Sequence, residues 1–452
     1  MQALRETPGA EADAGTVRFV TFGCKANQYD TQVLREALAR RGACEVNGPG
    51  AELVVVNTCT VTAEAGRKAR QLVRRIHRET PGARIAITGC LAESEPDVLA
   101  ELPGVHWVLG NGEAKAPHNF LRQIGHEIDP EELGIPAGIT AFAGHKRAFL
   151  KIQDGCDKAC AFCIIPKVRG RSRSRPAEEL AAEVERLVLA GHVEVVLCGI
   201  HIGHWGLDID SDIASLLARL IEVAPVGEDG RAIEWRLRVS SIEATEVTDE
   251  MVGLMADRPD RIAPHLHMPM QSGSDPVLKA MNRWYTVAEY LESCDRIRAR
   301  LDRPAFTADI LVGFPGETDA QFAETLATAE SAGFTKVHVF PFSARPGTAA
   351  FGMGGAVDPR VTRARRAALS EAAAGWEQRF RRSLEGARDR VVLEGFAGLS
   401  GRYQRVSVAP EDIDGVVPAA IDVTLHAELE NGPDGAGSVR LRGVPVGEEA
   451  RP

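Results

Sequence analysis

The chain has 452 residues, 44% hydrophobic and 26% charged, a composition that excludes a disordered or fibrous protein. With 53 Lys and Arg against 63 Asp and Glu the net charge is −10, which excludes a globally basic nucleic-acid binder but leaves room for local basic faces. No apolar run approaches the roughly 18 residues a membrane-spanning helix needs, and residues 1–15 lack the order of a signal peptide, so a frayed tail and a cytoplasmic protein with no membrane contact are expected.

From Thr16 onward strand-like and helix-like stretches alternate. Val17 to Phe22 is an apolar run stopping at Gly23–Cys24, followed by helical spacing over Asp30 to Arg41. Leu53 to Val56 ends at Asn57–Thr58–Cys59 and leads into a basic helical stretch, Ala65 to Arg78. Arg84 to Thr88 ends at Gly89–Cys90. Three strand-then-helix units predict a parallel sheet with covering helices over residues 16–125. Each of Cys24, Cys59 and Cys90 falls just past the carboxyl end of a predicted strand, the edge where open α/β sheets bind ligands. Three cysteines at equivalent places therefore converge, whereas one alone would read as a small buried residue.

Residues 126–142, broken by Pro and Gly, read as a linker. A second alternating series fills residues 143–380. Its strands are predicted at Ala148–Ile152, Val193–Cys198, Glu234–Val239, His265–Met268, Phe306–Val312 and Lys336–Phe340. Helical stretches at Ala177–Ala190, Ile213–Val223, Val287–Arg300 and Asp319–Ala332 lie between them, and Pro359 to Arg382 leaves the domain as a further helix. Six such units fit an incomplete (β/α)6 barrel with its chemistry at the carboxyl ends of the strands. Residues 381–445 change to short alternating runs at Val391–Leu393, Tyr403–Val408, Val416–Val417, Ile421–Leu425 and Ser438–Leu441, a small all-β module.

Nine cysteines in a chain without an export signal point to metal ligation or catalysis rather than to disulfides. Cys156, Cys160 and Cys163 are spaced C-x3-C-x2-C on the loop after the first barrel strand. A structural zinc site needs four ligands, whereas three thiolates on a cubane [4Fe-4S] cluster leave one iron open to a small molecule such as S-adenosylmethionine. Cys44, Cys198 and Cys294 have no partner at ligand spacing and are expected to be small packed residues.

That spacing, with Phe162 before the last cysteine and a barrel behind it, resembles the radical S-adenosylmethionine enzymes. The three upstream cysteines and the trailing β-module narrow the resemblance, from about Val17 to Arg442, to the methylthiotransferase family. In that family the upstream trio holds a second [4Fe-4S] cluster that carries the transferred sulfur, and the trailing module is an RNA-binding TRAM domain. The segments Gly23-Cys24-Lys25-Ala26-Asn27-Gln28, Asn57-Thr58-Cys59-Thr60-Val61-Thr62, Arg171-Ser172-Arg173-Ser174-Arg175 and Gly199-Ile200-His201-Ile202-Gly203 are similar to the branch acting on N6-threonylcarbamoyladenosine at position 37 of tRNA. Isopentenyladenosine in tRNA and a ribosomal-protein aspartate remain as alternative substrates. A metal-stabilised RNA-binding protein without catalysis remains as an alternative of another class.

The resemblance implies two [4Fe-4S] clusters and S-adenosylmethionine as cofactors, with an acceptor carbon that acid–base catalysis cannot functionalise. It implies tRNA as partner, together with a flavodoxin- or ferredoxin-like reductant and a sulfur source; a monomer is expected. Phe162 would pack on the adenine of S-adenosylmethionine. Gly199, His201, Ser240, Glu243, Gln271 with Ser272, and Asp309 are further candidates because they sit at predicted strand ends. Asp309, charged at the start of an apolar strand, would need a partner such as Arg283 or Lys279. Between Lys146 and Arg175 nine basic residues face two acids, and Arg169, Arg171, Arg173 and Arg175 are the candidate RNA contacts. From Ala387 to Pro452 eleven acids face seven arginines, so the last module binds RNA well only if Arg388, Arg390, Arg402 and Arg405 gather on one side.

Overall fold

The computed structural model describes residues 15–60, 63–126, 136–413, 415–431 and 437–446. The expected N-terminal tail, the first part of the expected linker, and Val61 and Thr62 of the second quoted segment lie outside the described residues. The chain forms two compact units. One takes residues 1–140 together with 154–158 and 163–171, and the other takes 141–153, 159–162 and 172–452.

The first unit is built on a parallel sheet of β1 (Thr16–Thr21), β2 (Cys44–Glu45), β3 (Leu53–Thr58), β4 (Arg84–Gly89) and β5 (Val105–Leu109), in the order β2-β1-β3-β4-β5. The central β3, Leu-Val-Val-Val-Asn-Thr, is buried along its whole length, which an apolar strand covered on both faces requires. On one face Ala69, Val73 and Ile76 of α2 (Ala63–Glu79) pack against Val54, Val56, Ile85 and Ile87. On the other, Leu34, Ala37 and Leu38 of α1 (Lys25–Arg40) pack against Val17, Val55 and Ala86. Two of the five strands, β2 and β5, are additions to the three read from the sequence. A short helix, α3 (Cys90–Ser94), follows β4, and α4 (Pro96–Ala100) and α5 (Pro117–Gln123) complete the unit with α6 (Ile165–Arg169). Helix α1 starts five residues earlier than its periodicity indicates, directly after Cys24.

The second unit holds the barrel. Its six parallel strands are β6 (Arg147–Lys151), β7 (Glu194–Cys198), β8 (Arg236–Val239), β9 (His265–His267), β10 (Ala305–Val312) and β11 (Lys336–Pro341). They lie side by side in chain order as two three-stranded sheets, joined through the Ser241–His267 bridge. All six strands coincide with the predicted runs to within two residues at either end. The long helix α7 (Pro359–Ser383) leads into a closed five-stranded barrel of β12 (Arg388–Glu394), β13 (Ala397–Ser400), β14 (Arg405–Ser407), β15 (Ala420–Asn431) and β16 (Gly437–Pro445). Val416–Val417 is not a strand; Val416 is 93% exposed, and the module's missing strand is instead Ala397–Ser400.

A buried charge cluster joins this module to the bottom of the larger barrel. Glu194, wholly buried on β7, accepts from Arg238 Nε and Nη2 (2.9 Å each), Arg236 Nε (2.7 Å) and Arg147 Nε (2.7 Å). The same arginines reach onward: Arg238 donates to the Gly401 and Ser400 carbonyls and Arg236 to the Arg390 carbonyl. Burial alone would raise the Glu194 carboxyl, but Arg238 and then Arg236 outweigh it and hold the group well below the usual carboxylate range. Arg390 pairs with Glu234, and Arg402, 6% exposed, pairs with Asp302 and Asp389. Two of the four arginines that could make a basic face on the module are therefore turned to acids instead.

Candidate functional site

Strand register brings the first cysteine trio together. Asn57 on β3 pairs with Thr21 on β1, and Thr58 pairs with Gly89 on β4, so Cys59 and Cys90 each follow one residue after aligned neighbours. Adjacent strands lie about 4.8 Å apart, so the three carboxyl ends share one short stretch of sheet edge. Cys24 caps α1 without a side-chain bond and is exposed, Cys59 is buried, and Cys90 is the buried first residue of α3. Two glycines keep the approach tight. A Cβ on Gly23 (φ +101°) would lie 2.8 Å from Cys59 Cβ and 3.0 Å from its Sγ. One on Gly89 (φ +94°) would lie 2.4 Å from both Asn57 Oδ1 and the Thr58 carbonyl.

Buried polar groups brace this edge. Asn27 Nδ2 donates to the Phe22 and Thr58 carbonyls at 2.8 and 2.9 Å, and Asn57 Nδ2 donates to the Asn27 carbonyl and Thr31 Oγ1. Lys115 Nζ, 8% exposed, donates to Asp30 Oδ2 at 2.8 Å. Arg169 joins them. It is 5% exposed, bonds Asp154 (2.7 Å), Asn27 Oδ1 (2.5 Å) and Asp30 (3.3 Å), and so does not face solvent as an RNA contact would. None of Asn27, Asp30, Lys115 and Arg169 was legible as a brace, because most of their partners lie far away in sequence.

The second trio lies on the loop between β6 and α6. Gly155 (φ +76°) lets the chain pass the Arg171 carbonyl, which a Cβ would meet at 1.9 Å. Cys156 N donates to the Gly170 carbonyl at 3.0 Å, and Lys158 N to Cys156 Sγ at 3.4 Å. Cys160 Sγ accepts from Arg283 Nη1 at 3.2 Å. Arg283 is ion-paired with Glu243, its guanidinium 4.2 Å from the ring centroid of Trp284 and 4.9 Å from that of Tyr285. Phe162, half-buried, packs against the buried cluster of Ala161, Val277, Met281, Phe314 and Ala350. Three thiolates per trio match the donor set of a cubane cluster with one open iron better than that of a four-ligand zinc site.

The strand ends place the remaining candidates as follows. Gln153, buried, accepts on Oε1 from Ile200 N (3.0 Å) and His201 N (2.9 Å), pinning the turn after β7. A Cβ on Gly199 would lie 2.9 Å from the Gln153 carbonyl. His201 Nε2 bonds Glu246 at 2.8 Å, with His204 stacked at 3.8 Å between ring centroids. Burial raises the Glu246 carboxyl, but hydrogen bonds from His201 and His204 outweigh this and hold it at about 2. Ser240 follows β8 and is 7% exposed. Gln271 (φ +61°) donates its N–H to the Asp309 carbonyl, and Ser272 Oγ bonds Thr325 Oγ1. Asp309 meets His267 at 3.4 Å, not Arg283 or Lys279; Arg283 is taken by Glu243. Gln153 and Glu246 were missed in the sequence because a lone Gln and a lone Glu carry no spacing signal.

Among the basic candidates Arg171 and Arg173 are exposed, while Arg175 pairs with the buried Glu183 at 2.8 Å. Arg169 and Arg175 thus depart from the expected phosphate contacts for the same reason: a buried carboxylate claims each guanidinium. Cys198 and Cys294 are buried, and burial pushes the Cys294 thiol up to about 12. Cys44, expected to be packed, is exposed on the edge strand β2.

Comparison with known proteins agrees with this geometry. Residues 150–329 match the model of the Radical SAM superfamily, and residues 16–110 that of Uncharacterized protein family UPF0004. A Thermotoga maritima protein named threonylcarbamoyladenosine tRNA methylthiotransferase MtaB is 36% identical over 92% of this chain and 96% of its own. Its Bacillus subtilis namesake is 40% identical over 76% of this chain and 77% of its own. Among solved structures, that of the radical S-adenosylmethionine methyltransferase TsrM from Kitasatospora setae, with cobalamin and a [4Fe-4S] cluster bound, shares the fold. It is 17% identical, with a TM-score of 0.52 over 75% of this chain and 77% of that one. The paired cysteine trios, the barrel behind the second and the similarity along nearly the whole length lead to one assignment: the chain belongs to the radical S-adenosylmethionine methylthiotransferase family.

Proposed function

We propose that the protein transfers a methylthio group to carbon 2 of N6-threonylcarbamoyladenosine at position 37 of tRNA. The observation that carries this reading is the alignment of Cys24, Cys59 and Cys90 on one sheet edge in a chain that also bears C-x3-C-x2-C on a barrel loop. Two functions need two trios: one to make a radical, one to hold the sulfur that is transferred. Cys156, Cys160 and Cys163 would hold the first [4Fe-4S] cluster and Cys24, Cys59 and Cys90 the second. With S-adenosylmethionine bound, these groups supply one-electron chemistry at an aromatic carbon that has neither a leaving group nor an acidic proton.

The chain's own residues position and shield. Arg283 donates to Cys160 Sγ and is fixed by Glu243, so the loop ligand cannot swing without breaking a buried ion pair. Gln153 fixes the turn that presents Gly199 and His201, and Glu246 orients the His201 ring. Gly199, His201, Ser240, Glu243, Gln271 and Asp309 would contact S-adenosylmethionine, and Phe162 its adenine. Arg171 and Arg173 would take tRNA phosphates. Among the described residues no helix is long and apolar enough to cross a membrane. A cytoplasmic monomer, fed by a flavodoxin- or ferredoxin-like reductant and a separate sulfur source, completes the reading.

Mass spectrometry of nucleosides from bulk tRNA tests it, comparing a strain lacking the protein with its complemented parent. The 2-methylthio derivative of N6-threonylcarbamoyladenosine is expected to vanish and to return only when all six cysteines are intact. Loss of the isopentenyladenosine derivative instead would move the substrate assignment. No change in either would remove tRNA as substrate and direct the search to the ribosomal protein.

A further inference from the structure

Arg169 has a feature that its ion pairs do not explain. Its Nη groups are taken by Asp154, Asn27 and Asp30, yet its Nε–H is buried without an acceptor. A buried donor left unmade is costly, so native proteins usually aim such a group at something that completes it. The preceding residue, Val168, packs with Ile164 directly against Cys90, and Asn27, which Arg169 grips, lies in the first turn after Cys24. The guanidinium interacts electrostatically with both Cys90 and Cys24. An orphan donor and a buried positive charge thus lie beside the sheet edge where the first trio meets.

We infer that Arg169 is a positioning residue for the sulfur-carrying site: its Nε–H donates to a sulfur of the group held by Cys24, Cys59 and Cys90, and its charge offsets that of the thiolates. This rests on the proposed reading of that trio as a cluster site. Hydrogen bonds to cluster sulfurs and nearby positive charge favour the more negative, reduced state, so Arg169 makes the cluster easier to reduce. Asp30 works in the opposite sense by partly cancelling the arginine. Lys115, which shares Asp30, keeps that balance in place when the cluster changes charge.

The test uses the full chain with Cys156, Cys160 and Cys163 each replaced by Ala, reconstituted with iron and sulfide so that only the first trio can be loaded. The readouts are iron content and a redox titration with dithionite followed by electron paramagnetic resonance. In this parent about four irons per chain are expected. R169Q is expected to keep them while the ratio of reduced to oxidised cluster, at the parent's midpoint, falls about tenfold, or 59 mV for one electron. R169K, which keeps the charge but lacks the Nε–H, moves the same way by less, and D30N moves the opposite way. An R169Q protein with full iron and a ratio within twofold of the parent overturns the inference, as does a D30N shift in the R169Q direction. Where R169Q loads no cluster, R169K and D30N decide by sign. A parent that binds no iron overturns the reading of the trio itself, and the inference with it.

Discussion

Replacing Glu194 by Gln is expected to be among the most damaging single changes in the second unit. The carboxylate has no exposure and serves three guanidiniums, two of them almost wholly buried: Arg236 at 3% and Arg238 at 1%. The amide keeps the shape but removes the neutralising charge and points N–H donors at donors. Exposed ion pairs contribute about 0–1 kcal/mol, whereas breaking a buried pair costs about 3–5 kcal/mol because the abandoned charge stays desolvated. The upper half of that range applies here, since Arg236 and Arg238 are also tied to carbonyls of the β-module and cannot swing to water. At roughly 2 °C per kcal/mol for a unit above about 200 residues, the melting temperature should fall by roughly 8–10 °C. Urea unfolding of the apo chain measures it, with circular dichroism for the whole and tryptophan emission reporting near Trp235, which precedes Arg236. A loss under about 1 kcal/mol would falsify the argument that this cluster is a closed, charge-balanced interior.

Three further outcomes are expected. G155A, whose Cβ would collide with the Arg171 carbonyl at a left-handed φ, should distort the second cysteine loop and lower iron after reconstitution from about eight to about four per chain. Glu246 lies at about 2 in the fold against 4.5 as its ordinary value, so its contribution is fully present above pH about 4.5 and is lost as pH falls toward 2. The apo protein should therefore lose about 2 kcal/mol between pH 5 and pH 3 through this group, a loss absent in E246Q. For tRNA binding, removing Arg171 and Arg173 together should reduce the slope of log affinity against log salt by about 1–2, while removing Arg175 leaves the slope unchanged because its charge is already spent on Glu183.

What the sequence made legible were features with local signatures. The six barrel strands are short apolar runs bounded by turn residues, and the cysteines declare themselves by spacing and by position after those runs. Features whose partners are distant were not. The first turn of α1, Lys25 to Tyr29, is polar and shows no apolar period, because Asn27 and Asp30 face buried polar groups rather than a greasy core. Arg169 looked like one more phosphate contact in a basic run until the fold showed which acids surround it. In the β-module, Ala397–Ser400 is flanked by glycines and resembles a turn, whereas Val416–Val417 has strand-like residues but joins no strand among the described residues, and Val416 lies exposed.

The first unit is discontinuous: residues 154–158 and 163–171, carrying Cys156 and Cys163, are part of it although they come after the barrel has begun. A cut near residue 142, the natural place to split the chain by sequence, would strip Ile164 and Val168 from the wall of Cys90 and leave Asp30 without Arg169. The N-terminal fold and the cysteine loop therefore have to be inherited, expressed and recombined as one piece. Chimeras that swap residues 16–125 between relatives should succeed only when the 154–171 stretch travels with them.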